Sequence, residues 1–293
     1  MPPIPGWTAR LAAGFLTLIS LLCAGCADVD AFRLAGLPPE VAVGAKLLHE
    51  GKDAAAAAEF DKAIARDPHS AILYAAIAQD TCNQMNKPDL ALRYAERGLQ
   101  AVPNASKADR VRLLGAAANA CAALGDYAKA VRYGRAALAL LPDDPLVRNN
   151  LAYELAEQAA SRQELQEALS LATSAVDAAR ADPDVKDEDM GVYLDTLGWV
   201  QYKLGAYDKA APLLAQAADL APTYAEILYH LASAYKALGR DAQARIALDR
   251  AEKALAGQDA PKPQLRAMMD DLRARLSPPA PAAAGSNPSP STR

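Results

Sequence analysis

The sequence predicts an all-α protein built from stacked helical hairpins. Hydrophobic residues make up 52% of its 293 residues, but aromatic residues make up only 5%, so much of the apolar content is alanine. Alanine has the highest helix propensity, and the aromatic and β-branched runs that favour strands are scarce. A single core with so few aromatic side chains would be thin for this length. A solenoid, which buries its surface one hairpin at a time, fits the composition better.

A spaced pattern of small residues recurs along the chain. In five segments a turn residue is followed by alanine after five positions and by another small residue after seven more. These segments are Gly51/Ala56/Ala63, Asn86/Ala91/Gly98, Gly125/Ala130/Ala137, Gly205/Ala210/Ala217 and Gly239/Ala244/Ala251. Glycine tolerates the positive φ of a turn between helices. Small residues two turns apart on one helix face let a neighbouring helix approach closely.

This spacing resembles that of the tetratricopeptide-repeat family, whose period is about 34 residues. The strongest local matches are residues 125–130 and 205–210. In the family's register the units start at residues 37, 72, 111, 145, 191 and 225 and cover 37–258. The resemblance implies a right-handed solenoid of about six helix-turn-helix repeats. Residues 259–276 would then form a C-terminal capping helix.

Several segments depart from the repeat. Residues 106–110 insert between the second and third units, and the fourth unit lacks its glycine turn. An acidic segment, residues 182–189, follows the fourth unit. It lacks the residue order of a calcium-binding loop, so we expect a solvated linker there. Residues 277–293 are rich in proline, alanine and serine, a composition that predicts disorder.

The first 25 residues read as an export signal. Arg10 precedes an apolar run from Leu11 to Leu22, which is too short to span a bilayer, since spanning takes about 20 residues. Small residues directly before Cys26 resemble the lipobox of bacterial lipoproteins, although Cys23 stands where that family usually has leucine. The resemblance implies that Cys26 is lipidated and that residues 26–36 form a tether. A plain secretory signal and an uncleaved anchor are the alternatives.

We therefore expect a periplasm-facing protein of the bacterial envelope. By resemblance to enterobacterial sorting, Ala27 after the lipidated cysteine favours the outer membrane. Beyond the signal, 30 basic and 35 acidic side chains are interspersed, which argues against a nucleic-acid partner. Cys82 and Cys121 occupy equivalent positions of adjacent units. We expect them to be buried thiols rather than a disulfide, because equivalent points on packed helices lie about 10 Å apart.

The sequence contains no recognisable catalytic or metal-binding motif. His49, His69 and His230 have no cysteine or carboxylate at metal-ligand spacing, and no Walker, G-x-S-x-G or H-E-x-x-H pattern occurs. We therefore predict a non-enzymatic protein without metal or cofactor.

The family resemblance also indicates where a guest would bind. The first helix of each tetratricopeptide unit lines a concave groove, and asparagines there hydrogen-bond the guest's backbone in peptide-binding members. The matching positions here hold Arg112, Asn119, Asn149 and Asn150. An amide both donates and accepts, which suits an extended guest. Alternatively, Asn149 and Asn150 satisfy backbone groups near the start of their own helix.

Aromatic side chains are predicted on the C-terminal half of the same face. They are Tyr153, Trp199, Tyr202 and Tyr229, near Asp195, Ser233 and Lys236. Tyrosine and tryptophan dominate interface hot spots, so these residues complete the predicted partner-binding set. The alternative for Trp199 is burial between neighbouring hairpins, since most tryptophans are largely buried.

The function predicted from these features is an envelope-anchored scaffold that holds a protein or peptide in its groove. Such a scaffold would support assembly of a pilus, a secretion system or a polysaccharide exporter. Two alternatives stand beside it: a structural lipoprotein that self-associates, and an adaptor that docks an envelope hydrolase.

Overall fold

The computed structural model describes residues 36–79, 85–158, 161–257 and 263–276, and within these ranges the chain forms thirteen helices and no strand. The helices are α1 (Pro39–His49), α2 (Asp53–Arg66), α3 (Ala71–Gln79), α4 (Pro88–Ala101), α5 (Lys107–Ala123), α6 (Tyr127–Leu140), α7 (Pro145–Gln158), α8 (Arg162–Ala181), α9 (Asp187–Lys203), α10 (Tyr207–Leu220), α11 (Ala225–Ala237), α12 (Asp241–Ala256) and α13 (Pro263–Leu276). The predicted all-α class is confirmed.

Consecutive helices pair into six hairpins that stack in chain order. Each helix packs on its hairpin partner, each second helix also packs on the first helix of the next hairpin, and α13 packs on α11 and α12. Across the described ranges, no extensive packing joins the first hairpins to the last. The molecule is therefore a solenoid whose core is assembled locally. In the same ranges, no helix combines the length and apolarity that a membrane crossing requires.

The turns inside the hairpins adopt the conformation that the sequence pattern requires. The four turn glycines and Asn86 all have positive φ, between 49° and 81°. At Gly125, φ is 78°, and the amide of the next residue, Asp126, donates to the Cys121 carbonyl at 2.9 Å. This bond satisfies a carbonyl at the end of α5, while Asp126 caps α6 by accepting from the Lys129 amide at 3.0 Å. One short segment thus ends one helix and begins the next.

The small residues of the repeat lie where helices touch. Ala56, Ala91, Ala130, Ala210 and Ala244 are all completely buried. The requirement for a small side chain is strictest at Gly98 of α4. A Cβ at that position would lie 2.7 Å from Tyr74 Cβ and 2.8 Å from Leu113 Cδ2. Three helices therefore meet there with no room for a methyl group.

Two segments predicted to lie between repeat units prove to be helical at one end. Residues 107–110, predicted as an insertion, form the first turn of α5, because Ser106 caps that helix by accepting from the Asp109 amide at 3.1 Å. Residues 187–189, predicted as linker, form the first turn of α9. Acidic side chains in a first helical turn are stabilised by the helix dipole, which accounts for this extension.

The fourth unit and the C-terminal helix follow the prediction in outline. The fourth unit replaces the glycine turn with Ser161, which caps the long helix α8 by accepting from the Glu164 amide at 3.2 Å. The helix α13 lies within the predicted capping segment, residues 259–276, and buries Leu265, Met269 and Leu272. Cys121 is a buried free thiol. Cys82, Cys26, the export signal, most of the tether and the C-terminal tail lie outside the described residues.

We predict opposite effects of adding a methyl group at two helical glycines. Gly98→Ala forces atoms apart and should lower the free energy of unfolding by about 1–3 kcal/mol. Gly115→Ala on α5 meets nothing within 4 Å and should raise it by up to about 1 kcal/mol, since alanine is the better helix former. Urea denaturation followed by circular dichroism measures both. Equal changes in the unfolding free energy of the two variants would contradict the close packing described at Gly98.

Candidate functional site

The first helices of the hairpins form the inner face of the solenoid. The backbones of α3 and α5, of α7 and α9, and of α9 and α11 approach closely, whereas adjacent second helices make no comparable approach in the described ranges. Long side chains span the wider gap between second helices. Arg135 of α6, for example, holds Glu167 of α8 through two 2.8 Å hydrogen bonds. A ribbon that is tighter along its first helices curves inward there, so these helices line a concave face.

Side chains of three successive units meet on this face. Tyr153 of α7 donates its hydroxyl to Glu226 of α11 at 2.7 Å, reaching past the intervening α9. Burial, followed by the Glu226 carboxylate, raises the pKa of Tyr153 well above its usual value. The hydroxyl therefore stays protonated and remains a donor. This bond ties the fourth unit to the sixth and fixes the curvature between them.

Trp199 of α9 lies beneath this bridge and is only 4% exposed. Its indole Nε1 donates to Glu157 of α7 at 2.5 Å. The ring stacks on His230 of α11, with centroids 3.9 Å apart, and on Tyr202, with centroids 4.6 Å apart. Lys203 completes the cluster, with Nζ 3.0 Å from the Glu157 carboxylate. The alternative in which Trp199 packs between neighbouring units is confirmed.

A buried ion pair lies behind the tryptophan. His230 Nδ1 is 2.9 Å from Asp195 Oδ1, and both residues are buried. Burial by itself lowers the pKa of His230. The Asp195 carboxylate, with Glu226 and Glu157 further away, raises that pKa overall. The carboxylates thus favour the imidazolium form of His230 against the cost of its burial, and burial raises the pKa of Asp195 although His230 opposes that rise.

The predicted partner-binding residues divide into two groups by exposure. Six are partly exposed on the concave side: Arg112, Asn119, Asn150, Tyr153, Tyr202 and Lys236. Five are buried: Asn149, Asp195, Trp199, Tyr229 and Ser233. The buried residues serve internal contacts. Ser233 Oγ, for example, donates to the Tyr229 carbonyl at 2.9 Å. Binding of a partner by any of the eleven stays a prediction, and only the exposed group can touch a partner without rearrangement.

The two adjacent asparagines of α7 differ in their surroundings. Asn149 is 2% exposed and donates to Asn150 Oδ1 at 3.4 Å, while its own Oδ1 has no hydrogen-bond partner. The start of α7 is capped by Asp144, which accepts from the Val147 amide at 3.0 Å. The alternative in which the asparagines satisfy the start of this helix therefore finds no support, because Asp144 already does so.

The charged members of the cluster were missed by sequence reasoning. Glu157, Lys203, Glu226 and His230 gave no motif, since their contacts are made between units. His230 follows Asp195 by 35 positions, close to one repeat period. A comparison of titratable residues at neighbouring positions of successive units could have found this pair.

The side chains on the concave side are suited to hydrogen bonding. Within the part of the chain that the structure describes, no three histidine, cysteine, aspartate or glutamate side chains are placed to hold a metal ion. The concave side instead presents amides, tyrosine hydroxyls and Lys236, whose Nζ lies 3.1 Å from Asp241. These groups donate and accept hydrogen bonds, as a binding surface for a polypeptide does.

Two family models of the tetratricopeptide repeat match the chain, at residues 111–154 and 201–275. The APC/C hetero-tetramer Cut9–Hcn1 is similar in fold, with a TM-score of 0.59 at 18% identity. The alignment covers 92% of this chain and 46% of that one, so this chain spans less than half the length of that chain. No curated protein matches the sequence.

Two bacterial structures are also similar. A tetratricopeptide-repeat protein from Parabacteroides merdae has a TM-score of 0.54 at 14% identity, covering 81% of this chain and 84% of that one. A thermophilic tetratricopeptide-repeat protein from Thermus thermophilus, TTC0263, has a TM-score of 0.53 at 24% identity, covering 70% of this chain and 100% of that one. At these identities the similarity shows the fold alone.

We predict that His230 stabilises the fold in a pH-dependent way. Because the pKa of His230 is raised in the folded protein, its contribution to the free energy of unfolding is fully present below about pH 6.5. That contribution is lost as the pH rises through the pKa of the folded state. His230→Gln should remove about 1–3 kcal/mol of unfolding free energy at pH 5.5, the usual worth of a hydrogen bond to a charged group, and less at pH 8.5. Urea denaturation of both proteins between pH 5.5 and pH 8.5 measures the difference in their unfolding free energies. A difference that stays the same at every pH would contradict a raised pKa of His230.

Proposed function

Because tetratricopeptide repeats stack into the solenoid described above, we propose that this protein is a non-catalytic scaffold that binds a protein or peptide on its concave face. One observation carries the proposal. The concave side is held in a fixed curvature by contacts between units, and it presents partly exposed amides and tyrosines. A preorganised surface loses little conformational entropy when a guest binds.

The exposed polar groups favour a guest held through its backbone. Asn119 and Asn150 lie on the first helices of adjacent units, α5 and α7, and both are partly exposed. Each amide can donate to a carbonyl and accept from an N–H of an extended chain. Arg112 lies on the same helix as Asn119 and holds Asp109 at 2.9 Å. Tyr202, further along the solenoid, adds a partly exposed ring that can cover an apolar side chain of the guest.

We further propose that the scaffold acts in the bacterial envelope, anchored through Cys26 and facing the periplasm. The basis is the apolar run from Leu11 to Leu22 and the small residues before Cys26. A protein held at the outer membrane with a binding groove is suited to recruit a component of an envelope assembly. We propose that this assembly is a pilus, a secretion system or a polysaccharide exporter.

The binding face can be tested by site-specific photocrosslinking in cells. A benzophenone amino acid placed at Asn119 or Asn150 should give a discrete cross-linked adduct, because a guest in the groove passes over both. The matched control is Ile246, which is 62% exposed on the second helix α12. Adducts from position 246 with none from 119 or 150 would overturn the groove. A cross-link between two copies of this protein would instead favour the alternative in which the lipoprotein self-associates.

The anchor can be tested separately. Cys26 in the purified full-length product should carry a diacylglyceryl group, detectable by mass spectrometry of the N-terminal peptide. Cys26→Ala should abolish this modification and release the protein from the membrane fraction, whereas Cys23→Ala should preserve both. An unmodified Cys26 at the mature N-terminus, or a retained signal segment, would contradict lipid anchoring.

A further inference from the structure

The C-terminal helix α13 connects the last hairpin with the third. It packs on α11 and α12, yet Gln264 in its first turn donates its side-chain amide to the Ala123 carbonyl at 3.5 Å. Ala123 is the last residue of α5, so 141 positions separate the two partners. Because α5 and α11 are both first helices, which line the concave face, α13 crosses that side of the solenoid.

The other end of α13 lies beside aromatic residues of the concave side. Burial raises the pKa of Tyr202 and of Tyr229, and the Arg275 guanidinium opposes this rise at both phenols. A charge acts in this way only on groups close to it. Since Arg275 belongs to the last turn of α13, that turn lies near rings of both α9 and α11.

This placement puts α13 in the path of a guest. Asn119 lies one turn before Ala123 on α5, so the contact with Gln264 is only about 6 Å further along that helix. Tyr202 lies near the opposite end of α13. The helix has 14 residues and is therefore about 21 Å long. A guest that ran from Asn119 to Tyr202 would meet α13 on its way.

The C-terminal half of α13 is anchored on α12 by charged and polar contacts. Arg273 Nη2 lies 2.5 Å from the Asp249 carboxylate and 2.9 Å from that of Glu252. Arg245 donates to the carbonyl of Leu276, the last residue of α13, at 2.5 Å. These contacts hold the end of the helix that lies beside the aromatic rings.

The N-terminal half of α13 is held more weakly. Gln264 and Ala123 are both exposed, and 3.5 Å is a long hydrogen bond, so water readily replaces it. The backbone of α13 also packs less extensively on α12 than α6 does on α7, or α10 on α11. Leu265 and Met269 are buried beneath this half, which makes the closed position the ground state.

We propose that α13 is a lid on the concave groove, which closes when Gln264 contacts α5 and opens by a pivot about its C-terminal half. The closed lid blocks the way between Asn119 and Tyr202, so a guest binds after the lid opens. Competition with a guest rests on the proposed scaffold function, whereas the movement is a property of this chain alone. The lid lowers the apparent affinity for a guest in proportion to the fraction of open molecules.

A charge at position 264 shifts the lid in a direction set by the helix dipole. The Ala123 carbonyl lies at the C-terminal end of α5, which carries partial negative charge. Gln264→Asp should therefore open the lid, and Gln264→Lys should close it. The same substitutions act in the opposite sense on α13 itself, because an acidic residue stabilises the first turn of its own helix. The two effects are thus distinguishable by their sign.

Two adjacent methionines of α13 measure the opening in the full-length protein. Met269 is completely buried, whereas Met268 is 39% exposed. The rate of Met269 oxidation by hydrogen peroxide, relative to that of Met268, follows the open fraction and is read by tandem mass spectrometry. This relative rate should be about threefold or more higher in Gln264→Asp than in Gln264→Lys, from the usual strength of charges at helix ends.

A matched control carries the same charges away from the lid contact. Gln243 is an exposed glutamine in the first turn of α12, and Gln243→Asp and Gln243→Lys should leave the relative oxidation of Met269 unchanged. Equal Met269 oxidation in the two variants at position 264 would overturn the lid. So would slower oxidation in Gln264→Asp, because a fixed cap responds only through the stability of α13.

Competition with the guest is measured by the photocrosslinker at Asn119 in cells. Its adduct with the guest should be about threefold or more abundant in Gln264→Asp than in Gln264→Lys, in step with the open fraction. Equal adduct yields, in variants whose Met269 oxidation differs, would overturn the competition. If positions 119 and 150 give no adduct in any variant, the scaffold function fails, and the oxidation rates still decide whether α13 opens.

Discussion

Close contact between helices at small side chains is the constraint on which the structure depends. Each second helix carries alanine or glycine two turns apart, and these residues are buried against the neighbouring helices. At Gly98 there is no room for one more carbon atom, since Tyr74 and Leu113 come from two other helices. Because every hairpin meets the next through the same kind of surface, the fold extends along one direction without a central core.

Curvature follows from this packing and decides what the inner face can do. The backbones of the first helices approach closely, so side chains from α7, α9 and α11 crowd together on the concave side. Tyr153 and Glu226 meet across a whole unit, and Trp199 is buried beneath them. These side chains make contacts between units and stabilise the shape of the solenoid, so they are not free to bind a partner. The surface left for a guest is the polar rim around this cluster.

The fourth unit is where the repeat is least regular, and it buries two polar side chains. It lacks the glycine turn, its second helix is long, and its first helix buries Asn149 and Glu154. Burial raises the pKa of Glu154 to about 8, because among the described residues its carboxyl group has no compensating charge nearby. The two large core clusters divide within the third unit, between α5 and α6, so α6 and α7 share one cluster. Irregular sequence and buried polar side chains thus coincide in this unit.

The sequence by itself determined the fold, the number of units, the hairpin turns and the capping helix. Each of these depends on residues close in sequence, as when Gly125 permits the φ of 78° that ends one helix before Asp126 begins the next. Helix starts at Lys107 and Asp187 were missed, because capping and dipole effects extended these helices beyond the repeat register. Only the tertiary structure decided which predicted site residues are exposed, that His230 meets Asp195, and that Glu154 lies unpaired against Gly134. Those contacts depend on how far one unit rotates against the next, and no local pattern in the chain encodes that rotation.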